Sequence, residues 1–187
     1  MTTDSLRKDH DLIEKVLKSM QVTIHLLNAG KQIPEPILMP VIDFSKNFTN
    51  VCHHGKEENS LFPALEKAGM PREGGPIAMM LMEHEITQKL ANKMEESAKK
   101  YIDSGDQKQL VSDMIEYVEH VSQHLWKENN RLFMMADMHL MGHSDKIEEE
   151  LNKVEDEKLQ EIGKNRDRKS TRLNSSHSSV SRMPSSA

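Results

Sequence analysis

Cysteine, proline, glycine and aromatic residues are all scarce in this chain of 187 residues. Its single cysteine, Cys52, excludes an internal disulfide bond and a zinc site built from several cysteines. Aromatic residues make up only 4% of the chain, and there are 8 glycines and 7 prolines. Because strands are rich in aromatic residues, and glycine and proline interrupt helices, this composition favours helices. The length suffices for one domain with a sizeable core.

Long apolar runs are also absent. No stretch approaches the roughly 18 apolar residues that indicate a membrane-spanning helix, and the polar N-terminus lacks the apolar core of a signal peptide. The formal net charge of −5 offers no attraction to nucleic acid or to an anionic membrane. We therefore expect a cytoplasmic protein that binds neither nucleic acid nor membrane, and the sequence leaves its oligomeric state open.

Apolar residues recur every three or four positions along four segments, which predicts four amphipathic helices. The predicted helices run from Asp4 or Ser5 to Gly30, from Pro36 or Pro40 to Lys67, from Pro76 to about Ser104, and from about Asp106 to His139 or Met141. Short connections between them predict an all-α fold, an antiparallel up-down four-helix bundle over residues 1–141. A C-terminal helix with one thin apolar stripe is expected over residues 142–164.

The composition changes from about Asp167 onward, where serine and arginine are frequent and no apolar period remains. Such a segment buries too little apolar surface to become ordered. It also resembles an in-frame translation of a widely used sequencing adapter. We therefore expect residues 165–187 to form a disordered tail of non-native origin, which removes His177 from the candidate ligands.

One motif occurs twice in the chain. Residues 53–62 are His-His-Gly-Lys-Glu-Glu-Asn-Ser-Leu-Phe, and residues 124–133 are His-Leu-Trp-Lys-Glu-Asn-Asn-Arg-Leu-Phe. In both copies Lys and Glu follow the first His by three and four residues, and Leu-Phe follows it by eight and nine. Residues four apart lie on one face of a helix, so each copy places an imidazole beside a carboxylate. Bundles use two such helices, facing each other, to hold a pair of metal ions.

The first copy allows two registers, because His53–Glu57 and His54–Glu58 are both four residues apart. The match to the second copy selects His53 and Glu57. The phase of the apolar residues in this helix favours the other register. We give the repeat more weight because His, Lys, Glu, Leu and Phe all recur at the same offsets. His54 and Glu58 are then expected either to orient the ligands or to face solvent.

The other two helices each carry a His on the apolar face, His10 in the first and His84 in the third. In the fourth helix, His124 and Glu128 occupy successive positions of the apolar face. A Glu in a core is costly unless it is paired, protonated or bound to a metal. Four imidazoles and two carboxylates are thus predicted to converge on one metal site: His10, His53, Glu57, His84, His124 and Glu128.

Nitrogen and carboxylate ligands without a thiolate suit iron, manganese or zinc. Six ligands are too many for one tetrahedral zinc ion. They suit two ions that are bridged by both carboxylates and lie about 3.5–4 Å apart. Such a pair leaves open positions at which a small molecule such as dioxygen could bind.

The combination resembles the hemerythrin-like, or HHE cation-binding, family over roughly Leu6 to Met135. The resemblance rests on His-x-x-x-Glu followed by Leu-Phe-Pro at 61–63, on Glu83-His84, and on the second motif copy at 124–133. It implies a non-haem site with two iron ions, ligated by the six residues named above. Oxygen-carrying members have an additional His one turn from the third-helix ligand, where this chain has Met80 and Gln88.

This departure favours relatives that sense or respond to oxygen, nitric oxide, peroxide or iron over simple oxygen carriers. The resemblance therefore implies a protein that binds or senses dioxygen or a related small molecule, or that handles iron. A binding or sensing protein is expected rather than an enzyme. The alternatives are a di-iron oxidase or peroxidase, and a zinc-bound or metal-free structural bundle.

Overall fold

The computed structural model describes the backbone of residues 1–180 and the side chains of residues 1–166. This part of the chain is helical between short connections and contains no strand, which confirms the predicted all-α fold. The helices are α1 (Asp4–Asn28), α2 (35–67), α3 (Pro76–Ser104), α4 (108–139) and α5 (Ser144–Val180). Helix α3 packs against α4 and α2, and α1 packs against α4. The first four helices form the bundle and α5 is added to it.

Glycine and proline set the helix ends where the sequence predicts them. Helix α3 begins at Pro76, whose fixed φ and missing N–H suit the first turn of a helix. It ends before Gly105, which has a φ of 77° and donates its N–H to the carbonyl of Tyr101 at 2.8 Å. A left-handed residue of this kind is a common helix stop, and glycine adopts it without strain.

Helices α2 and α4 contain π-helical segments at the repeated motif. In α2 these are Ser45–His53 and Glu57–Leu61, and in α4 the segment is Glu128–Leu132. A π segment bonds each N–H to the carbonyl five residues back instead of four, so side chains leave the phase of an α-helix. This explains why the apolar phase and the repeat predict different registers in α2.

Two apolar clusters fill the bundle, one on each side of the buried polar residues. The larger cluster includes Ile13, Leu17, Met20, Leu90, Met94, Leu110, Met114, Val121 and Leu125. The smaller cluster includes Leu6, Leu61, Phe62, Ile77, Met80, Leu132, Phe133 and Leu151. Each bundle helix passes from one cluster to the other, as α1 does between Leu6 and Ile13, and its candidate ligands lie between them.

Helix α5 packs along the π-helical part of α2. Ile147, Leu151 and Ile162 are buried, while most of its other described side chains are exposed, as expected for a helix with one thin apolar stripe. The sequence predicts that this helix ends at residue 164 and that a disordered tail follows. In the structure the helical backbone continues to Val180. No proline lies within residues 144–180, so no ring clash and no missing N–H interrupts this helix. Residues 181–187, the rest of the predicted tail, lie outside the described residues.

Within the described residues, no helix combines the length and the apolar content needed to cross a bilayer.

Candidate metal centre

The six predicted ligands meet between the two apolar clusters, and each is at most 4% exposed. On one side of the group, Nε2 of His10 lies 3.1 Å from Nε2 of His53 and 3.2 Å from Oε2 of Glu128. Nε2 of His53 lies 3.9 Å from Oε2 of Glu57. We call His10 and His53 the first side of the centre.

On the other side, Nε2 of His84 lies 3.2 Å from Oε2 of Glu57. Nε2 of His124 lies 3.1 Å from Oε1 of Glu128. We call these two imidazoles, together with the neighbouring His54, the second side of the centre. Each carboxylate therefore lies within reach of imidazoles on both sides, as a group that bridges two ions must.

Many polar atoms of this group form no hydrogen bond of acceptable geometry, although some imidazole nitrogens and carboxylate oxygens lie only 3.1–3.2 Å apart. They are both oxygens of Glu57, both oxygens of Glu128, and Nε2 of His54, His84 and His124. Buried polar groups in proteins are normally hydrogen-bonded, and an unpaired one costs about 1–3 kcal/mol or more. Metal binding would give each of these atoms a partner. The donor set of imidazoles and carboxylates without a thiolate fits iron, manganese or zinc.

Three overlapping groups bring one ligand atom per residue within 4.8 Å of one another. They are His10–His53–Glu57–Glu128, Glu57–His84–His124–Glu128 and His54–His84–His124. The first two share both carboxylates. The arrangement can therefore hold ions at two neighbouring positions.

The outer nitrogens on the first side bind a neutral amide and a carboxylate. Nδ1 of His10 lies 3.0 Å from Oδ1 of Asn129, and Nδ1 of His53 lies 3.3 Å from Oδ2 of Asp9. Asp9 also pairs with Lys56 at 2.5 Å. Burial opposes the charge of Asp9, but its hydrogen bonds with His53 and Lys56 hold its pKa below the ordinary value.

Lys56 is only 1% exposed, although it is a lysine. Besides Asp9, it contacts Glu155 of α5 at 2.8 Å and Ser5 at 3.3 Å. Burial opposes its charge, but the two carboxylates raise its pKa above the ordinary value. A chain of polar contacts thus runs from α5 through Lys56 and Asp9 to His53.

On the second side, the outer nitrogens of His84 and His124 both bind carboxylates. Nδ1 of His84 lies 2.7 Å from Oε1 of Glu58, and Nδ1 of His124 lies 2.9 Å from Oε2 of Glu83. Lys127 pairs with the other oxygen of Glu83. The hydrogen bond from His124, helped by Lys127 and opposed by burial, lowers the pKa of Glu83 to about 2. Carboxylates in this position orient a ligand imidazole and increase its basicity.

The lysines of the two motif copies therefore have the same role. Lys56 and Lys127 each neutralise the carboxylate that contacts the outer nitrogen of the first His in their own copy. Each of these carboxylates also directly precedes a candidate ligand in the chain, as Asp9-His10 and Glu83-His84. Sequence reasoning missed the roles of Asp9 and of both lysines. The signal was present in the repeat, which matches at Lys as well as at His and Glu.

The structure shows where the side chains of His54 and Glu58 lie, which the sequence left open. Glu58 is 41% exposed in its side chain and holds His84, which fits an orienting partner. His54 is 2% exposed and faces the centre, and its ring stacks on that of His84 with centroids 3.7 Å apart. Burial, followed by the neighbouring His84 and His124, keeps its pKa well below the ordinary value. Both adjacent histidines of α2 therefore point inward, which sequence reasoning missed.

His120 lies one turn before His124 but points elsewhere. Its Nε2 lies 3.1 Å from the backbone carbonyl of Glu83, where it can donate a hydrogen bond. It belongs to none of the three groups above.

A family model described as "Hemerythrin HHE cation binding domain" matches residues 1–136. The matched range covers most of the chain, contains every candidate ligand and ends before α5. Comparisons with curated proteins and with solved structures found no match.

Proposed function

Because the chain belongs to the hemerythrin HHE cation-binding domain family, we propose that it holds two iron ions between Glu57 and Glu128. With them it binds or senses dioxygen, nitric oxide or peroxide, or handles iron. The observation that carries the proposal is the set of four buried carboxylate oxygens without a hydrogen-bond partner, between two sets of imidazoles. Two buried negative charges are costly unless cations balance them.

His10 and His53 would hold one ion, and His84 and His124 the other, with both carboxylates shared. When bound, iron supplies open coordination positions and the electrons that a small oxidant needs. The chain's own residues orient the imidazoles through their outer nitrogens. This orientation points each Nε2 inward and keeps it free for a metal.

The surroundings of the centre favour a small ligand. The His10 ring stacks on Phe133 with centroids 4.9 Å apart, and the His84 ring lies 5.8 Å from that of Phe62. Both phenylalanines are completely buried. Aromatic and aliphatic walls exclude bulk water, so a diatomic molecule or peroxide can approach where a large polar substrate cannot.

The test is anaerobic reconstitution of the purified protein with ferrous iron, followed by measurement of bound metal and of the optical spectrum. We expect about two irons per chain, as in other helical bundles whose inward-facing Glu and His side chains hold a metal pair, and near-ultraviolet absorption after oxidation that bleaches on reduction. Titration of the reduced form with oxygen and with nitric oxide then identifies the small molecule that binds. Sustained turnover with a reductant would instead identify an oxidase or peroxidase.

The variant that decides the question carries Glu57→Gln together with Glu128→Gln. We expect it to lose both irons while its circular dichroism stays helical, because the amides are nearly isosteric but uncharged. The matched control carries Glu85→Gln and Glu119→Gln, which removes two exposed carboxylates from α3 and α4 and should retain iron. Full iron binding by the first variant would contradict the proposal, and a preference of the wild-type protein for zinc would remove the oxygen chemistry.

A further inference from the structure

His54 is a buried imidazole that the six-ligand set leaves without a role. It is 2% exposed, and its Nε2 is buried without a hydrogen-bond partner. An imidazole nitrogen is either an N–H donor or a lone-pair acceptor, and both forms need a partner when buried. His54 shares this condition with Nε2 of His84 and His124, which are candidate ligands.

The position of His54 brings it to these two imidazoles. Its ring is nearly parallel to that of His84, at 5°, and nearly perpendicular to that of His124, at 83° with centroids 5.4 Å apart. One nitrogen from each of the three rings lies within 4.8 Å of the others. Metal–nitrogen bonds of about 2.0–2.1 Å place the nitrogens of one ion up to about 4.2 Å apart. Because an imidazole lone pair lies in the plane of its ring, the stacked rings of His54 and His84 must tilt toward each other to share an ion.

The π-helical backbone explains how two adjacent histidines can serve one centre. Adjacent side chains of an α-helix point about 100° apart, so an adjacent pair would lie at the two edges of the inward face. The segment Ser45–His53 ends at this pair and Glu57–Leu61 follows it closely. Their wider turns keep both His53 and His54 inside, with ring centroids 5.6 Å apart.

The second motif copy provides an internal comparison. The residue that corresponds to His54 there is Leu125, which belongs to the larger apolar cluster. A buried leucine satisfies the packing at this point of the motif. Packing alone therefore does not require an imidazole at His54.

We propose that His54 is a metal ligand on the second side of the centre, together with His84 and His124. One ion then has three imidazoles, and the ion on the first side has two. The first-side ion has fewer protein ligands and thus more room for a small molecule. This inference rests on the proposed metal pair but not on its being iron.

The first experiment counts imidazole ligands in the wild-type protein. Loading with cobalt(II), a paramagnetic ion that occupies iron and zinc sites, shifts the proton resonances of ligand imidazoles far outside the normal range. We expect five shifted, solvent-exchangeable ring N–H signals per chain, one each from His10, His53, His54, His84 and His124. Four signals would overturn the role of His54 and leave the metal pair intact, whereas no bound cobalt would overturn both.

The second experiment measures cobalt affinity by competition with a chelator, for the wild-type protein and for His54→Leu, which introduces the residue of the second copy. We expect one ion to bind at least about 100-fold more weakly, beyond the roughly 10–100-fold typical of residues that only orient a ligand. The other ion should bind as before. The matched control is His120→Leu, which removes a nearby imidazole that binds a backbone carbonyl and should leave both affinities unchanged.

A smaller variant, His54→Ala, separates coordination from packing. Free imidazole added to this variant should restore the affinity for the weakly bound ion, because imidazole fits the space and offers a nitrogen lone pair. Pyrrole has the same shape but no such lone pair and should not restore it. Equal rescue by both molecules, or wild-type affinity in both His54 variants, would show that His54 only packs.

Discussion

The two sides of the centre follow one plan and differ at two positions. On the first side, Asp9 contacts the outer nitrogen of His53 and pairs with Lys56. On the second side, Glu83 contacts the outer nitrogen of His124 and pairs with Lys127 in the same way. The differences occur where the motif copies differ. His54 corresponds to Leu125, and Glu58, which holds His84, corresponds to Asn129, which holds His10. The second side therefore has one more imidazole and one more carboxylate.

This comparison shows that equivalent ligands need not have equivalent surroundings. Two carboxylates act directly on the imidazoles of the second side, which increases the basicity of these imidazoles. On the first side, the outer nitrogen of His10 contacts the neutral amide of Asn129. The outer nitrogen of His53 contacts Asp9, whose partner Lys56 also pairs with Glu155 of α5. We expect the second side to bind its ion more tightly, and the first side to depend more on the docking of α5.

The largest difference should appear when the two motif lysines are replaced. Lys56→Met leaves the buried Asp9 without its lysine, and breaking a buried pair typically costs about 3–5 kcal/mol. Lys127→Met removes a lysine whose side chain is 31% exposed, so we expect less than about 1 kcal/mol there. Urea denaturation of the metal-free proteins gives both free energies of unfolding. Equal losses would show that the two sides are supported alike.

The second largest effect is a loss of folding stability at acid pH, which we assign to Glu83. Because its folded-state pKa of about 2 lies below the ordinary value of 4.5, Glu83 stabilises the fold fully above pH 4.5. That contribution is lost as the pH falls from 4.5 to about 2. The two pKa values differ by about 2.5, and each pKa unit corresponds to about 1.4 kcal/mol, which sets an upper limit of about 3.5 kcal/mol. Screening by nearby solvent reduces the expected contribution to about 2–3 kcal/mol in the metal-free protein.

The measurement is the free energy of unfolding between pH 6 and pH 2.5, compared with Glu83→Gln. The variant should be less stable at pH 6 and lose less stability on acidification. The control, Glu85→Gln, removes an exposed carboxylate two residues away and should keep the wild-type slope. A Glu83→Gln protein with the wild-type slope would contradict the assignment of the acid dependence to Glu83.

The smallest effect is the reactivity of Cys52, which directly precedes His53 in the π segment under α5. The thiol is buried, and burial, followed by the charge of Glu155, raises its pKa to about 11. At pH 8 a thiol reagent should therefore react slowly with the folded protein and rapidly after unfolding. Glu155→Gln should increase the rate modestly by weakening the contact between α5 and Lys56. Reaction of the wild-type protein as fast as a free cysteine would show that α5 does not cover this side.

Most of the fold was predictable because its determinants are local. The three-and-four spacing of apolar residues, with Pro76 and Gly105 at the ends of α3, indicates amphipathic helices with defined limits. The candidate ligands on α1, α3 and α4 could be recognised because a polar residue on an apolar face is conspicuous. The family resemblance extended these observations to a metal-binding bundle, and the family match confirms that assignment.

The orientation of the two adjacent histidines in α2 could not be predicted in the same way. Periodicity assumes a constant angle per residue, and the π segments of α2 break that assumption at His53 and His54. The role of Lys56 was equally hidden, because a buried lysine is recognised by its partners, and Glu155 lies 99 residues away in the sequence. Only the docking of α5 brings this pair together.

By itself, the sequence determined the all-α bundle and the set of imidazoles and carboxylates that lines its centre, because both follow from the spacing of residues along single helices. The tertiary structure alone decided which carboxylate holds which imidazole, that His54 faces inward, and that α5 is tied to His53 through Lys56. These features depend on contacts between helices and on local widening of the backbone. Neither leaves a period in the sequence.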